Sequence, residues 1–249
     1  MTAALPSILV LAPHPDDEVV GAAIAMKRAM AQGAKLSVLF LTTGIAREAW
    51  FWERNAYYAK ASRRMDEARR VADAHGFSIA GSLDIPSRRL IEHLVEVRRT
   101  VEGFEAQRLW VPAYEGGHQD HDAANALAQT LRGRFEIWEF AEYNFAGGRV
   151  NSNQFPDGIG NVLALSPEEA DFKRALLELY ASERANLDYV SCRQEAMRLM
   201  PAHDYACPPH KGRLFRERFH WVPLRHPRID WRKQAEISRG LSDFVSRFS

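Results

Sequence analysis

Two short clusters of histidines and carboxylates are the parts of this sequence best suited to chemistry. The first spans residues 13–18 and reads PHPDDE, and the second spans residues 116–121 and reads GGHQDH. Neutral imidazole and carboxylate oxygens together form a good ligand set for a divalent metal. The first cluster does not resemble a phosphate-binding loop, because it lacks glycines and its three carboxylates would repel a phosphate.

Each cluster also has a purely structural interpretation. The three acids of the first cluster could complement the N-terminus of a helix, where the helix dipole favours negative charge. In the second cluster Asp120 could cap the following helix, with both histidines in solvent. This interpretation does not explain His14 or the two prolines that would stiffen its turn.

Both clusters follow an apolar run that predicts a buried strand. Strands are predicted over residues 7–12, 36–42, 78–83, 108–112 and 136–140, and helices over residues 16–32, 56–75, 90–101 and 121–131. This alternation predicts βαβ crossovers and an α/β fold with a mainly parallel sheet flanked by helices. Ligands of such sheets bind beyond the carboxyl ends of the strands, so we expect the two clusters to face each other there.

After residue 142 the alternation loosens. The pattern predicts a long loop over residues 143–160, a strand over 161–165, and helices over 166–179, 188–200 and 231–248. Because no repeat or linker interrupts the chain, the sequence predicts a single domain over residues 1–249, with an α/β core over 1–142 and a loop-rich, helical part over 143–249.

Composition narrows the class of protein. The chain has 249 residues, 46% of them hydrophobic, and a formal net charge of +1, which is typical of a globular protein and not of a dedicated nucleic-acid binder. No apolar run reaches the roughly 18 residues of a membrane span, and the N-terminus lacks the basic region of a signal peptide. With two cysteines and no disulfide framework, we expect a cytoplasmic protein. Residues 207–249 carry ten Lys or Arg and four Asp or Glu. These cations could meet an anionic substrate, the acidic face of a partner or nucleic acid, but we expect them to pair with acids of the same chain.

The two motifs together resemble a known family. A strand running into PHPDDE, followed about a hundred residues later by HQDH, is similar to the LmbE/PIG-L family of metal-dependent N-acetylglucosaminyl deacetylases. Residues 64–68 (RMDEA) match the family's R-x-x-E helix, residues 83–90 its next strand and loop, and residues 216–219 (RERF) its late E-x-F. The resemblance covers most of the chain and implies a Rossmann-like fold.

The resemblance also implies a reaction and a metal site. His14, Asp17 and His121 would bind Zn²⁺, although Fe²⁺ or Co²⁺ would also suit such ligands. A bound metal lowers the pKa of water from 15.7 to about 7 and polarises the amide carbonyl. Asp16 would be the general base that accepts the proton of this water. The implied substrate is a small molecule, an N-acetylglucosamine-type amino sugar or its conjugate, which loses its acetyl group.

Other positions would act on the substrate. By resemblance, His118 stabilises the oxyanion or protonates the leaving amine, Asp120 orients His118, and Arg64 binds substrate hydroxyls. Two positions depart from the family pattern: Ser87 stands where an aspartate that contacts the sugar is expected, and Gly116 where some members have tyrosine. The identity of the sugar and its pathway therefore stay open.

Two aromatic clusters could stack on a sugar, although such residues more often belong to a core or a subunit contact. The first cluster is Trp50, Phe51, Trp52, Tyr57 and Tyr58, and the second is Trp138, Phe140, Tyr143 and Phe145.

Other classes of protein would need different residues at these positions. A metallo-β-lactamase-like hydrolase would need a histidine at Gly116. A non-haem iron oxygenase would need His-x-Asp spacing, whereas His14 and Asp17 are three residues apart. A hydrolase of another amide, and a catalytically idle glycan-binding or assembly module, stay open, although an idle module is expected to have lost Asp16 or a ligand. The sequence predicts no nucleic-acid partner and leaves a homo-oligomer open.

Overall fold

The strands and helices follow one another along the chain as a parallel α/β fold requires. A computed structural model describes residues 6–47, 53–222, 226 and 229–248. The strands are β1 (Ser7–Ala12), β2 (Lys35–Ala46), β3 (Ser78–Ser87), β4 (Arg108–Pro112), β5 (Glu136–Phe140), β6 (Tyr143–Asn144), β7 (Asn151–Ser152), β8 (Asn161–Ala164) and β9 (Gln194–Leu199). The α-helices are α1 (Asp17–Ala31), α2 (Tyr57–His75), α3 (Leu94–Glu102), α4 (Gln119–Gln129), α5 (Pro167–Leu179), α6 (Arg184–Leu187) and α7 (Gln234–Phe248).

A central sheet organises these elements. Within the described residues it has seven strands in the order β3-β2-β1-β4-β5-β9-β8. The first five strands are parallel to one another. β9 pairs antiparallel with β5, and β8 pairs antiparallel with β9. The prediction of a mainly parallel sheet flanked by helices is confirmed.

Alternate residues of β1 show how the sheet is covered on both faces. Ile8 and Val10 pack in a core with residues of α1, α2 and α5, whereas Leu9 and Leu11 pack in a second core with residues of α3, α4 and α7. Both faces of the strand are thus buried, which explains its uninterrupted apolar run. Polar side chains are therefore left to the loops that follow the ends of the strands.

The predicted helix over residues 188–200 is wrong. Residues 194–199 form β9, which pairs with Trp138 to Phe140 of β5 on one side and with β8 on the other. Glu, Ala, Met, Arg and Leu favour helices when nothing else decides. Here the unpaired edge of β5 supplies backbone partners, and this tertiary contact outweighs local propensity. The part of the chain after residue 142 thus contributes two strands to the sheet; that the whole is one domain stays a prediction.

Other differences from the predicted elements are small. The segment predicted as a helix from residue 90 begins with a 3-10 turn, and the long loop over 143–160 contains the short β6–β7 hairpin. Two arginines of the basic C-terminal region pair with acids of the body of the chain, Arg216 with Asp122 (2.8 Å) and Arg232 with Glu92 (3.0 Å). No helix in the described part of the chain is long and apolar enough to span a membrane.

Gly21 lets α1 approach the end of β5 closely. A Cβ atom at this position would lie 2.1 Å from Cδ2 of Phe140 and 3.0 Å from Cγ of Glu142. Phe140 is fully buried, so the ring cannot move aside without disturbing the core. The missing side chain therefore allows the N-terminus of α1 to sit beside the strand ends.

We predict that Gly21→Ala destabilises the protein, although alanine favours a helix by about 1 kcal/mol over glycine. Overpacking of a buried site costs about 1–3 kcal/mol. Urea unfolding of the variant should show a lower midpoint with an unchanged slope. Gly133→Ala is the matched control, because a Cβ there meets no atom within 4 Å; equal midpoints for both variants would contradict the packing argument.

Candidate metal centre and active site

The two motifs meet at the carboxyl ends of neighbouring strands. β1 and β4 pair in parallel, with Val10 opposite Trp110, so their following loops leave the sheet on the same side. The first motif connects β1 to α1, and the second lies between β4 and α4. The predicted meeting of both clusters beyond the strand ends is therefore what the fold produces.

Three donor atoms from the two motifs converge. Nδ1 of His14 lies 3.2 Å from Nε2 of His121 and 3.3 Å from Oδ2 of Asp17, whose Oδ1 lies 3.2 Å from the same His121 nitrogen. Ligands of a tetrahedral zinc ion with bonds near 2.1 Å are about 3.4 Å apart. All three residues are buried. The donor set and its spacing therefore fit a divalent metal held by two histidines and one carboxylate.

A carboxylate lies behind each histidine, and that of Asp120 is hydrogen-bonded to His14. Oδ2 of Asp120 lies 3.0 Å from Nε2 of His14, and Oε2 of Glu142 lies 3.3 Å from Nδ1 of His121. Such a partner fixes the ring orientation of a metal-binding histidine and raises its basicity. The sequence predicts Asp120 as the partner of His118, but its carboxylate is 3.6 Å from that ring and closer to His14.

The tautomer of His118 is set by the backbone. The N–H of Asp120 donates to Nδ1 of His118 over 3.1 Å, so in the neutral ring Nε2 carries the hydrogen. Burial and the charge of His14 hold the pKa of His118 well below its usual value. His118 is therefore a neutral hydrogen-bond donor, suited to stabilising an oxyanion, rather than an imidazolium.

Asp16 is held in a strained and specific position. Its φ of 137° is unusual for a residue with a side chain, and strain of this kind concentrates at functional sites. Nη2 of Arg64 contacts Oδ2 of Asp16 at 2.7 Å. Burial raises the pKa of Asp16 well above its usual value, although Arg64 opposes the shift. A carboxylate with a raised pKa is the kind that serves as a general base near neutral pH.

Arg64, predicted to contact substrate, is occupied by partners from the protein. Nη1 also contacts Glu183 at 2.6 Å, and Nε donates to the carbonyl of Pro15 over 2.9 Å. The side chain lines the cleft but is only 4% exposed. These contacts hold Arg64 against Asp16 and Glu183; its predicted contact with substrate hydroxyls stays a prediction.

A cleft of about 340 Å³ opens onto the donor atoms. One wall is aromatic: the ring of Tyr143 lies 5.4 Å from that of His121, 5.1 Å from Tyr189 and 4.6 Å from Phe215. The cleft also includes Ser87, whose Oγ is 3.2 Å from Nε2 of His14. Ser87, one of the two positions that depart from the family pattern, therefore lies within the site.

The structure places the residues of the two aromatic clusters in different surroundings, and only some of them line the cleft. Of the second cluster, Tyr143 lines the cleft, Phe140 belongs to the core, and Trp138 donates to Glu136 away from it. Of the first, Tyr58 is 75% exposed, and Trp50, Phe51 and Trp52 lie outside the described residues.

Sequence reasoning missed Glu142 and Glu183. Glu142 follows β5 by two residues, so an acid just after the end of a predicted strand was the signal that could have found it. Glu183 lies in a turn between α5 and α6, and only the folded chain brings it to Arg64. Tyr189 reaches the cleft from a part of the chain with no motif of its own, and Phe215 directly precedes the E-x-F match over residues 216–219.

Comparison with known proteins agrees with this arrangement. Residues 9–131 match the family described as PIG-L: GlcNAc-PI de-N-acetylase. The resemblance of the two motifs is thereby confirmed, and this part of the chain is a PIG-L (LmbE-like) domain. A search of curated proteins finds no match.

Solved structures share the fold. A deacetylase–bog complex from teicoplanin biosynthesis and a zinc-inhibited form of the teicoplanin deacetylase Orf2 align with TM-scores of 0.60 and 0.57, each at 16% identity over 77% of this chain and 96% of theirs. N,N'-diacetylchitobiose deacetylase from Pyrococcus horikoshii aligns at 0.50, with 16% identity over 79% of this chain and 84% of its own. The hydratase GalB from Pseudomonas putida KT2440 also aligns at 0.50, with 18% identity over 80% and 98%. At these identities the likeness concerns the fold alone.

We predict that metal binding releases protons. Burial opposes the charged form of His14, but the carboxylates of Asp17 and Asp120 outweigh it and raise the pKa of His14 to about 10. Below that pH the ring holds a proton that a metal must displace, so the affinity should rise with pH, about tenfold per unit from pH 6 to 8. Calorimetric titration with Zn²⁺ in buffers of different ionisation enthalpy measures this release.

The control compares two histidines. His14→Gln should remove most of the binding, whereas His93→Gln, at an exposed ring, should behave as the unaltered protein. A binding enthalpy that is the same in every buffer would contradict the prediction.

Glu142→Gln should weaken metal binding about 10–100-fold, because it removes the buried carboxylate that lies 3.3 Å from Nδ1 of His121. Equilibrium dialysis against a competing chelator measures the affinity. Glu136→Gln changes an exposed acid at the start of β5 and should have no effect. Unchanged affinity in Glu142→Gln would remove Glu142 from the metal centre.

Proposed function

We propose that this protein is a zinc-dependent deacetylase that hydrolyses the N-acetyl group of an N-acetylglucosamine-type amino sugar or its conjugate. The observation that carries the proposal is the convergence of the His14, Asp17 and His121 donor atoms within 3.3 Å, with Asp16 beside them in the same cleft. The family match over residues 9–131 supports the same reaction.

The protein residues can divide the reaction between them. His14, Asp17 and His121 would hold the metal, which supplies a water of lowered pKa and polarises the amide carbonyl. Asp16 would accept a proton from the attacking water and later deliver it to the amine nitrogen as the carbon–nitrogen bond breaks, leaving acetate and a free amine.

Three further residues would assist the hydrolysis. Nε2–H of His118 would donate a hydrogen bond to the carbonyl oxygen as negative charge develops on it. Arg64 would keep the Asp16 carboxylate aimed at the water through its 2.7 Å contact. Asp120 would act from behind His14 and through its backbone on His118.

The substrate class rests on the cleft and on related proteins. Tyr143, Tyr189 and Phe215 form a wall on which the apolar face of a sugar could stack. The deacetylases of teicoplanin biosynthesis and of N,N'-diacetylchitobiose have similar folds. Zinc fits the nitrogen and oxygen donors, as Fe²⁺ or Co²⁺ would.

We predict chelator-sensitive acetate release from N-acetylglucosamine conjugates. Asp16→Asn should lower kcat at least about 100-fold while the protein still binds metal, because a general base contributes about 10²–10⁴-fold. His121→Ala should lose both activity and metal. Acetate assay and metal analysis on the same samples separate the two effects.

Asp66→Asn, at an exposed position of α2, is the matched control and should keep full activity. Full activity of Asp16→Asn would refute its role as the base. Metal-loaded protein that releases acetate from none of the conjugates would refute the proposed substrate class.

A further inference from the structure

The outer part of the cleft contains an arginine that the hydrolysis does not use. Arg218 lines the cleft and is partly buried. Its guanidinium lies 3.5 Å from the ring centre of Phe215 and 4.4 Å from that of Phe219, and Nη1 donates to the carbonyl of Phe215 over 3.1 Å. Among the residues that the structure describes, no carboxylate forms an ion pair with it.

Two other arginines of the cleft lining, unlike Arg218, form ion pairs with carboxylates. Arg64 contacts Asp16 and Glu183, and Arg216 contacts Asp122 at 2.8 Å. Their charges are already neutralised within the protein. Arg218 is instead packed against aromatic rings, which hold the planar guanidinium in place but leave its charge uncompensated. Burial lowers the pKa of Arg218, as expected for a partly desolvated cation without an acidic partner.

The described acids near the cleft do not form an ion pair with Arg218. Asp17 and Asp120 are in contact with His14, and Asp16 is in contact with Arg64. Asp230, also in the lining, accepts hydrogen bonds from Gln119 and from the backbone of Arg232, and it forms no ion pair with Arg218. Among the described residues Arg218 is therefore a cation of the cleft lining that no carboxylate contacts as an ion pair.

The position of Arg218 relative to the metal centre follows from ring contacts. Phe215, on which the guanidinium rests, is in contact with Tyr143, and Tyr143 with His121. Arg218 is thus separated from the candidate metal ligands by an aromatic wall. Because Arg218 and two of the candidate metal ligands line the same cleft, a sugar whose acetamido group is at the metal has its other substituents in the space that Arg218 also lines.

We propose that Arg218 selects substrates in which the N-acetyl amino sugar bears an anionic group, a phosphate or a carboxylate, away from the acetamido group. This inference rests on the proposed deacetylase function and specifies its substrate. The guanidinium offers paired N–H donors that match the oxygens of either anion. Because the contact is remote from the reacting amide, it acts on substrate binding and therefore on KM more than on kcat.

The test compares charged and neutral substrates on the metal-loaded enzyme. N-acetylglucosamine 1-phosphate, its 6-phosphate and N-acetylmuramic acid carry the anion at different places, and methyl N-acetylglucosaminide carries none. At least one anionic substrate should have a KM about tenfold or more below that of the methyl glycoside, as a hydrogen bond between charged groups provides. The comparison of phosphates with the carboxylate identifies the anion.

Variants then assign the preference to the residue. Arg218→Gln should raise the KM of the preferred anionic substrate about tenfold and leave that of the methyl glycoside within about twofold. Arg218→Lys, which keeps the charge, should restore most of the preference. Arg213→Gln removes an exposed arginine of the same segment that is not in the cleft lining, and it should change neither KM.

The outcomes separate this inference from the proposed function. Equal KM values for charged and neutral substrates in the unaltered enzyme, or a preference that survives in Arg218→Gln, would overturn the inference while leaving the deacetylase intact. If Arg218→Gln does not fold, the comparison of substrates on the unaltered enzyme at low and high salt decides. Release of acetate from no substrate would overturn the proposed function and this inference with it.

Discussion

The parallel pairing of β1 with β4 determines where every donor atom of the candidate metal centre lies. Because the two strands run side by side in the same direction, their loops leave the sheet at one edge, and His14 meets His121 although about a hundred residues separate them. The crossover through α1, β2, α2, β3 and α3 connects these strands and covers both faces of the sheet. Gly21 then sets how closely α1, which begins with Asp17, approaches β5 and the Glu142 that follows it.

A second constraint is electrostatic. The centre buries several carboxylates, and a buried charge is tolerated only when it is paired and hydrogen-bonded. His14 lies between Asp17 and Asp120, and Arg64 lies between Asp16 and Glu183. The carboxylates beside His14 raise its pKa to about 10, so a protonated His14 supplies one of the compensating positive charges. A divalent cation would replace that proton, so the contacts that favour the protonated ring also favour metal binding.

The catalytic part and the outer part of the cleft come from different regions of the chain. The residues that converge on the candidate metal centre lie within or close to the family match over 9–131. Tyr189, Phe215 and Arg218 lie beyond it, and the Arg216–Asp122 ion pair ties the segment that carries the last two to the start of α4. Since one fold carries both deacetylases and a hydratase, fold alone does not decide the reaction. The donor set supports hydrolysis, and the outer residues support a choice among substrates.

The sequence by itself determined the parallel core and the two motifs. Apolar runs of strand length and helical patterns between them depend on local periodicity, and the order of parallel strands places both motifs at one edge. What the sequence could not determine depends on contacts between distant residues. Residues 194–199 have helix-forming composition but become a strand because β5 has an open edge. Asp120 turns toward His14 rather than His118, Glu142 reaches His121, and Glu183 reaches Arg64, because the relative position of loops is decided by how helices pack on the sheet and not by any local pattern.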